Sequence, residues 1–127
     1  MANVKKGLTA SDILAADDLP KIWVPTPEWG RYAGVWIRGM SGSERDQFEA
    51  RVSGLDGGGE QVKMNYVNLR ASLVASCAVD DDGKRLFNGD QVEALGSKSG
   101  AVLDRLFDAA RKASGIGDDD VKALSKN

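Results

Sequence analysis

The stretch QVKMNYVNLRASLVASCAV, residues Gln61 to Val79, decides the fold class. Val62, Tyr66, Leu69, Leu73 and Cys77 follow one another in steps of three and four, the spacing of one helix face. Val67, Val74 and Ala78 widen that stripe, which suits a core-facing helix better than a narrow coiled-coil seam. Lys63, Asn65, Asn68, Arg70, Ser72 and Ser76 make up the other side. Gly57-Gly58-Gly59 before it and Asp80-Asp81-Asp82-Gly83 after it are turn and linker chemistry. The expectation is one long amphipathic helix, Gln61–Val79, on which shorter segments pack.

Downstream, Asp80 to Gly83 turns the chain and Arg85-Leu86-Phe87 is a short extended piece. Gln91 to Leu95 reads as a short helix, with Asn88 or Asp90 as its cap and Gly96 as its stop. A second core helix is expected over Lys98–Ala113. Val102, Leu103, Leu106, Phe107, Ala110 and Ala113 share its apolar face, and Gly115 and Gly117 end it. Asp118 opens a last acidic turn over Val121 and Leu124.

Upstream, Ser41-Gly42-Ser43-Glu44 is a capping-box pattern, with Ser43 and Asp46 as the competing register. The helix it starts carries Phe48 and Val52 on one face and ends near Gly54. Leu55 to Glu60 is a glycine-rich linker. Lys21–Val24 and Gly34–Arg38 read as two strands. Pro25 and Pro27 keep the connection between them extended. Alternation places Ile22, Val24, Val35 and Ile37 on one face, and Trp23 and Trp36 with Lys21 and Arg38 on the other. Such a ribbon is marginal alone, so its apolar face must pack on helices. Thr9 or Ser11 caps a short helix over Asp12 to Ala16, with Asp12 well placed at its positive end. The expected architecture is mainly α: a single small helical domain over residues 1–127, with a two-stranded β ribbon near the N-terminus. The ends, 1–8 and 118–127, are expected to be mobile.

A chain of 127 residues with net charge −2 fits one domain with a core of its own. That charge, with no clustering of Lys and Arg, argues against nucleic acid. No apolar run approaches a membrane span, and the N-terminus lacks the apolar stretch of a secretory signal. One cysteine makes no internal disulfide, and together these features point to the cytoplasm. The chain has no histidine, which removes His-based triads, His-ligated metals and His general bases.

Few residues suggest chemistry. Asp80-Asp81-Asp82-Gly83 lacks the anchoring ligands of a calcium loop, because aligning Gly83 as the loop glycine leaves Ala78 and Gly89 in the ligand positions. Gly57 to Gly59 lacks the Lys-Ser/Thr of a phosphate-binding loop. Cys77 lies on the apolar stripe and reads as a buried structural thiol. Glu28, Glu44, Asp46 and Glu49 show no spacing that selects a catalytic pair. No cofactor or metal is expected. Trp23, Trp29 and Trp36 crowd one stretch, as a core cluster or as a partner face, since Trp is enriched at binding hot spots. The candidate partner-binding residues are Trp23, Trp36, Arg38 and Met40.

Several segments resemble the tail assembly chaperones of long-tailed bacteriophages. They run in order from Trp29-Gly30 through Val35-Trp36-Ile37-Arg38-Gly39-Met40-Ser41-Gly42-Ser43-Glu44-Arg45-Asp46-Gln47-Phe48-Glu49. Leu69 to Asp80, Asp82-Gly83, Arg85-Leu86-Phe87, Val92 to Gly96 and Leu103 to Ala110 follow. The resemblance implies a small, mainly helical, non-enzymatic protein of the infected host's cytoplasm. It would bind the tape-measure protein and keep it soluble while tail-tube subunits polymerise. Such proteins tend to self-associate, are absent from the finished virion, and are often made in a second, frameshifted form. Rival expectations are a structural or adaptor protein retained in the particle and a small hydrolase.

Overall fold

A computed structural model describes residues 4–53 and 68–117. Among them the order is α1 (Ala10–Ala15), β1 (Lys21–Pro25), β2 (Gly34–Arg38), α2 (Gly42–Ser53), α3 (Leu69–Cys77), β3 (Ala78–Val79), α4 (Val92–Gly96) and α5 (Gly100–Ala113). The fold is mainly α, but its sheet has three antiparallel strands in the order β1-β2-β3, not two.

The central helix departs from expectation at both ends. Asn68 has φ 66°, a left-handed conformation that a right-handed helix cannot contain. The expected Gln61–Val79 helix is therefore broken there, and its residues 61–67 lie outside the described residues. Gly96 packs so close to the Asn68 side chain that a Cβ on Gly96 would collide with it. At the other end the helix stops at Cys77, and Ala78 and Val79 pair with Ile37 and Trp36 of β2. The open edge of β2 carries unpaired N–H and C=O groups, and satisfying them overrides two residues of helical pattern. Val79 then bridges Arg85 across the Asp80–Gly83 turn.

Residues 71–77 of α3 are all buried, including Ser72 and Ser76, which the pattern had put on a polar face. Past its exposed Arg70, the helix packs against α2, α4, α5 and β2, so residues 71–77 keep no side for water. Ser76 Oγ donates to the Ser72 carbonyl at 2.9 Å, which satisfies the hydroxyl inside the helix. The other small residues there, Ala71 and Ala75, let neighbours approach.

Local start and stop signals hold where they can be read. Ser41 Oγ accepts the Glu44 N–H at 3.2 Å and Glu44 Oε1 accepts the Ser41 N–H at 2.8 Å, so the Ser41 register wins over Ser43. Phe48 and Val52 of α2 are buried, each contributing on the order of 1.5–3 kcal/mol. Asn88, rather than Asp90, caps the 3-10 turn Gly89–Gln91 that leads into α4. Ser99 caps α5, which begins at Gly100, two residues later than the expected start at Lys98. Val102, Leu103, Leu106 and Ala110 are its buried face, Phe107 is half-buried, and Ala113 is exposed. Gly115 at φ 71° ends α5, with its N–H to Lys112 O and the Ile116 N–H to Arg111 O. That is a Schellman stop, and it tucks Ile116 into the core. Both the Leu55–Glu60 linker and the turn from Asp118 lie outside the described residues.

The β1–β2 ribbon has the expected register, with Trp23 opposite Trp36 and Val24 opposite Val35. Val24 and Ile37 are buried, but Ile22 is 46% exposed. β1 is the outer strand, and α5 lies mainly across β2. Gly39 follows β2 where α5 ends, and a Cβ there would strike the Ala113 carbonyl. Thr9, rather than Ser11, caps α1 with a complete capping box, yet no residue of α1 is buried.

Candidate partner-binding surface

Sheet register builds the tryptophan face directly. Opposed residues on one face of an antiparallel pair touch. The Trp23 and Trp36 rings meet edge to face at 5.0 Å between centroids, with a 67° interplanar angle. Trp36 Nε1 donates to Asp81 Oδ1 at 2.7 Å, fixing the indole to the Asp80–Gly83 turn. Lys21 places its Nζ 4.7 Å from the Trp36 ring and donates to the Asp81 carbonyl. Trp23 lies over Gly34, where a Cβ would strike its ring, and remains 47% exposed. Half of this face is thus structural and half is exposed to solvent.

The turn that anchors Trp36 is held by its own carboxylate. Asp80 Oδ1 accepts the Asp82 and Lys84 N–H groups at 2.8 and 2.9 Å. The Lys84 N–H is the main cause that holds the Asp80 carboxyl below its usual range. Gly83, at φ 85°, supplies the left-handed residue the turn needs. Among the described residues, no group of three potential metal-ligating side chains converges.

Arg38 stays on the tryptophan side of the ribbon, opposite Lys21 and lining one cleft with it and Asp81, whereas Met40 leaves that face. Arg38 Nη2 reaches both carboxylate oxygens of Glu44, at 2.9 and 2.8 Å, and so ties β2 to the first turn of α2. Burial alone pushes the Glu44 carboxyl up, but the Ser41 N–H and Arg38 outweigh it and leave the group below its usual range. Met40 is buried in the core, and its N–H donates to Ser114 Oγ at 3.1 Å. Its expected place on a contact surface is corrected by that burial, because the chain must dive inward after Gly39 to reach α2. Cys77 is fully buried, 3.6 Å from Ser114 Oγ, and burial pushes its thiol up to about 11.

A second surface has no counterpart in the expected site. Trp29, Phe87, Gln91, Ala94, Leu95 and Lys98 line an open, mostly apolar groove of about 480 Å³. A separate groove shares Phe87 and Gln91 with it and is also lined by Arg51 and Arg85. Among the described residues, the lining of the two grooves includes three cationic side chains, Lys98, Arg51 and Arg85, and no carboxylate. Arg105 holds the Trp29 end in place. It donates to the Pro25 carbonyl at 3.0 Å and grips both Glu28 oxygens at 2.9 and 2.6 Å. That pairing lowers the Glu28 carboxyl to about 2. Pattern reading missed the groove because its residues come from three separate segments. The one early sign was a third tryptophan, Trp29, in a loop.

No family model matches the chain, and no curated protein sequence matches it significantly. Among solved structures, it is similar to the bacteriophage HK97 tail assembly chaperone, with a TM-score of 0.56 and 20% identity. The match covers 85% of this chain and 95% of that one. At this identity the likeness is one of fold.

Proposed function

We propose that the protein is a phage tail assembly chaperone. In this reading it binds helical segments of the tape-measure protein and keeps that protein soluble while tail-tube subunits assemble around it. It acts by binding, with no bond-making step, in the host cytoplasm, and it leaves before the virion is complete. The observation that carries the reading is the fold shared with the HK97 tail assembly chaperone along 85% of this chain. The surface supports it: exposed Trp23, Trp29 and Ile22 are the kind of apolar side chains that receive an amphipathic helix.

Co-expression with a phage tape-measure protein tests this. The expected result is a tape-measure protein that is soluble and co-purifies only when this chain is present. A ruler soluble alone, and not retained by this chain, overturns the proposal. Mass spectrometry of purified virions separates the rival reading: abundant chain in the particle makes it a structural component. Replacing both Trp23 and Trp36 by Ala is expected to weaken retention. Unchanged retention removes the tryptophan face from the contact and leaves the function standing.

A further inference from the structure

The cleft beside the apolar groove is surrounded by side chains that have donors to offer. Asn88 Oδ1 accepts the Asp90 N–H and Gln91 Oε1 accepts the Asn88 N–H, both at 3.0 Å. Those backbone donors fix which end of each amide is oxygen, so the two side-chain NH2 groups remain for a ligand. Arg51 comes from the last turn of α2, and Arg85 follows the Asp80–Gly83 turn. Arg85 gives one N–H to the Ala75 carbonyl at 3.4 Å, which leaves most of its fork unused. Among the described residues neither of these arginines has a carboxylate within ion-pair distance, whereas Arg38, Arg45, Arg70, Arg105 and Arg111 each do. Asp90 and Glu93 are close in the chain but line neither cleft. Glu44, two turns before Arg51 on α2, is held by Arg38 and the Ser41 N–H, and the Arg85 charge adds a smaller pull.

The arginine cleft, about 450 Å³, shares Phe87 and Gln91 with the groove of Trp29, Ala94 and Leu95. A ligand lying along both meets apolar side chains first and guanidinium and amide donors next. Side chains one turn apart on a helix are about 5–6 Å from each other, so one helix can place an apolar residue in the groove and a carboxylate in the cleft. Planar guanidiniums grip a carboxylate through paired, charge-assisted bonds. A free phosphate fills only the arginine cleft and leaves the apolar floor bare, so the two clefts together select a peptide that has both chemistries.

We infer that Arg51 and Arg85 form a carboxylate-recognising site, and that it works with the Trp29–Phe87–Leu95 groove to take an amphipathic helix carrying Asp or Glu one turn from its apolar stripe. This rests on the proposed function, and the helix is a segment of the tape-measure protein. It narrows the partner from any apolar helix face to one with an acidic edge, and it assigns that contact to a surface other than the tryptophan face.

Two paired variants and a peptide series test the site. Arg51→Gln with Arg85→Gln removes both guanidiniums. Lys5→Gln with Lys6→Gln removes the same amount of charge from exposed positions outside both clefts. Each full chain is co-expressed with a phage tape-measure protein, and circular dichroism melts follow its folding. Retention is expected to fall about tenfold or more in the arginine variant, the loss of roughly one charge-assisted bond, and to stay at the wild-type level in the lysine variant. Overlapping synthetic peptides of the same tape-measure protein are then titrated into the wild-type chain by calorimetry. The tightest binders are expected to carry Asp or Glu beside an apolar stripe, and exchanging that residue for Asn or Gln is expected to weaken them about tenfold. This exchange leaves the chain itself unaltered, so it decides the matter even where the arginine variant melts early. Wild-type retention that the arginine variant matches overturns the site and leaves the tape-measure function standing. An equal loss in the lysine variant, or peptides that fail to bind or ignore the acid-to-amide exchange, does the same. A wild type that retains no tape-measure protein overturns the proposed function, and this inference with it.

Discussion

Replacing Glu44 tests how β2 is joined to α2. Its carboxylate serves two groups at once: the Ser41 N–H at the helix start and the Arg38 guanidinium from the end of β2. The Arg38 and Glu44 side chains are only 19% and 18% exposed. Arg38 Nε is buried with no hydrogen-bond partner, so its charge depends heavily on Glu44. Glu44→Gln keeps an acceptor for Ser41 and loses the charge; at roughly 1.5–3 kcal/mol for a charge-assisted bond, a cost of about 1–2 kcal/mol is expected. Glu44→Ala also loses the cap, which adds about 1 kcal/mol. Arg38→Met in the Glu44→Gln background should restore part of the loss, because no charge is then left stranded. Urea unfolding at pH 7, with all variants compared at equal slope, measures each step. The pair also has a pH signature. Glu44 titrates below its usual 4.5 in the folded chain. Its contribution is therefore complete above that value and lost as pH falls through the lower, folded one. The gap between wild type and Glu44→Gln should close at acid pH. Equal, small losses for Gln and Ala, no recovery in the double variant, and a gap independent of pH would refute this account of the corner.

Two further outcomes follow from packing. Gly39→Ala is expected to destabilise the fold by about 1–3 kcal/mol, since its Cβ meets the Ala113 carbonyl. Gly42→Ala, facing open space in the first turn of α2, is expected to stabilise it by up to about 1 kcal/mol; thermal melts of both check the contrast. Cys77 is expected to resist iodoacetamide at pH 8 in the folded chain and to react fast in urea, because burial both hides the thiol and raises it to about 11. Fast labelling without denaturant would show that the core opens around α3.

The groove between Trp29 and Phe87 gives the molecule a second surface of different chemistry from the tryptophan face. The tryptophan face is aromatic and anchored by Asp81, whereas the groove is apolar and bordered by cations.

What the sequence alone determined is what a few neighbouring residues can settle among themselves. The Ser41–Glu44 box, the Gly115 stop of α5, the Asp80–Gly83 turn and the Trp23–Trp36 alternation are satisfied within one or two turns of chain, so pattern suffices to find them. Even Thr9 against Ser11, and Asn88 against Asp90, were narrowed to the right pair. Tertiary structure decided the rest. Ala78 and Val79 left the helix because β2, forty residues earlier, had an open edge. Ser72 and Ser76 became interior because helices and a strand close around α3 from every side. Met40 sank into the core beside Ser114, seventy-four residues on. The groove exists only where Trp29, Phe87 and Leu95 converge. Hydrogen-bond edges and apolar surface are satisfied by whatever lies nearest in space, and short-range pattern does not say what that will be.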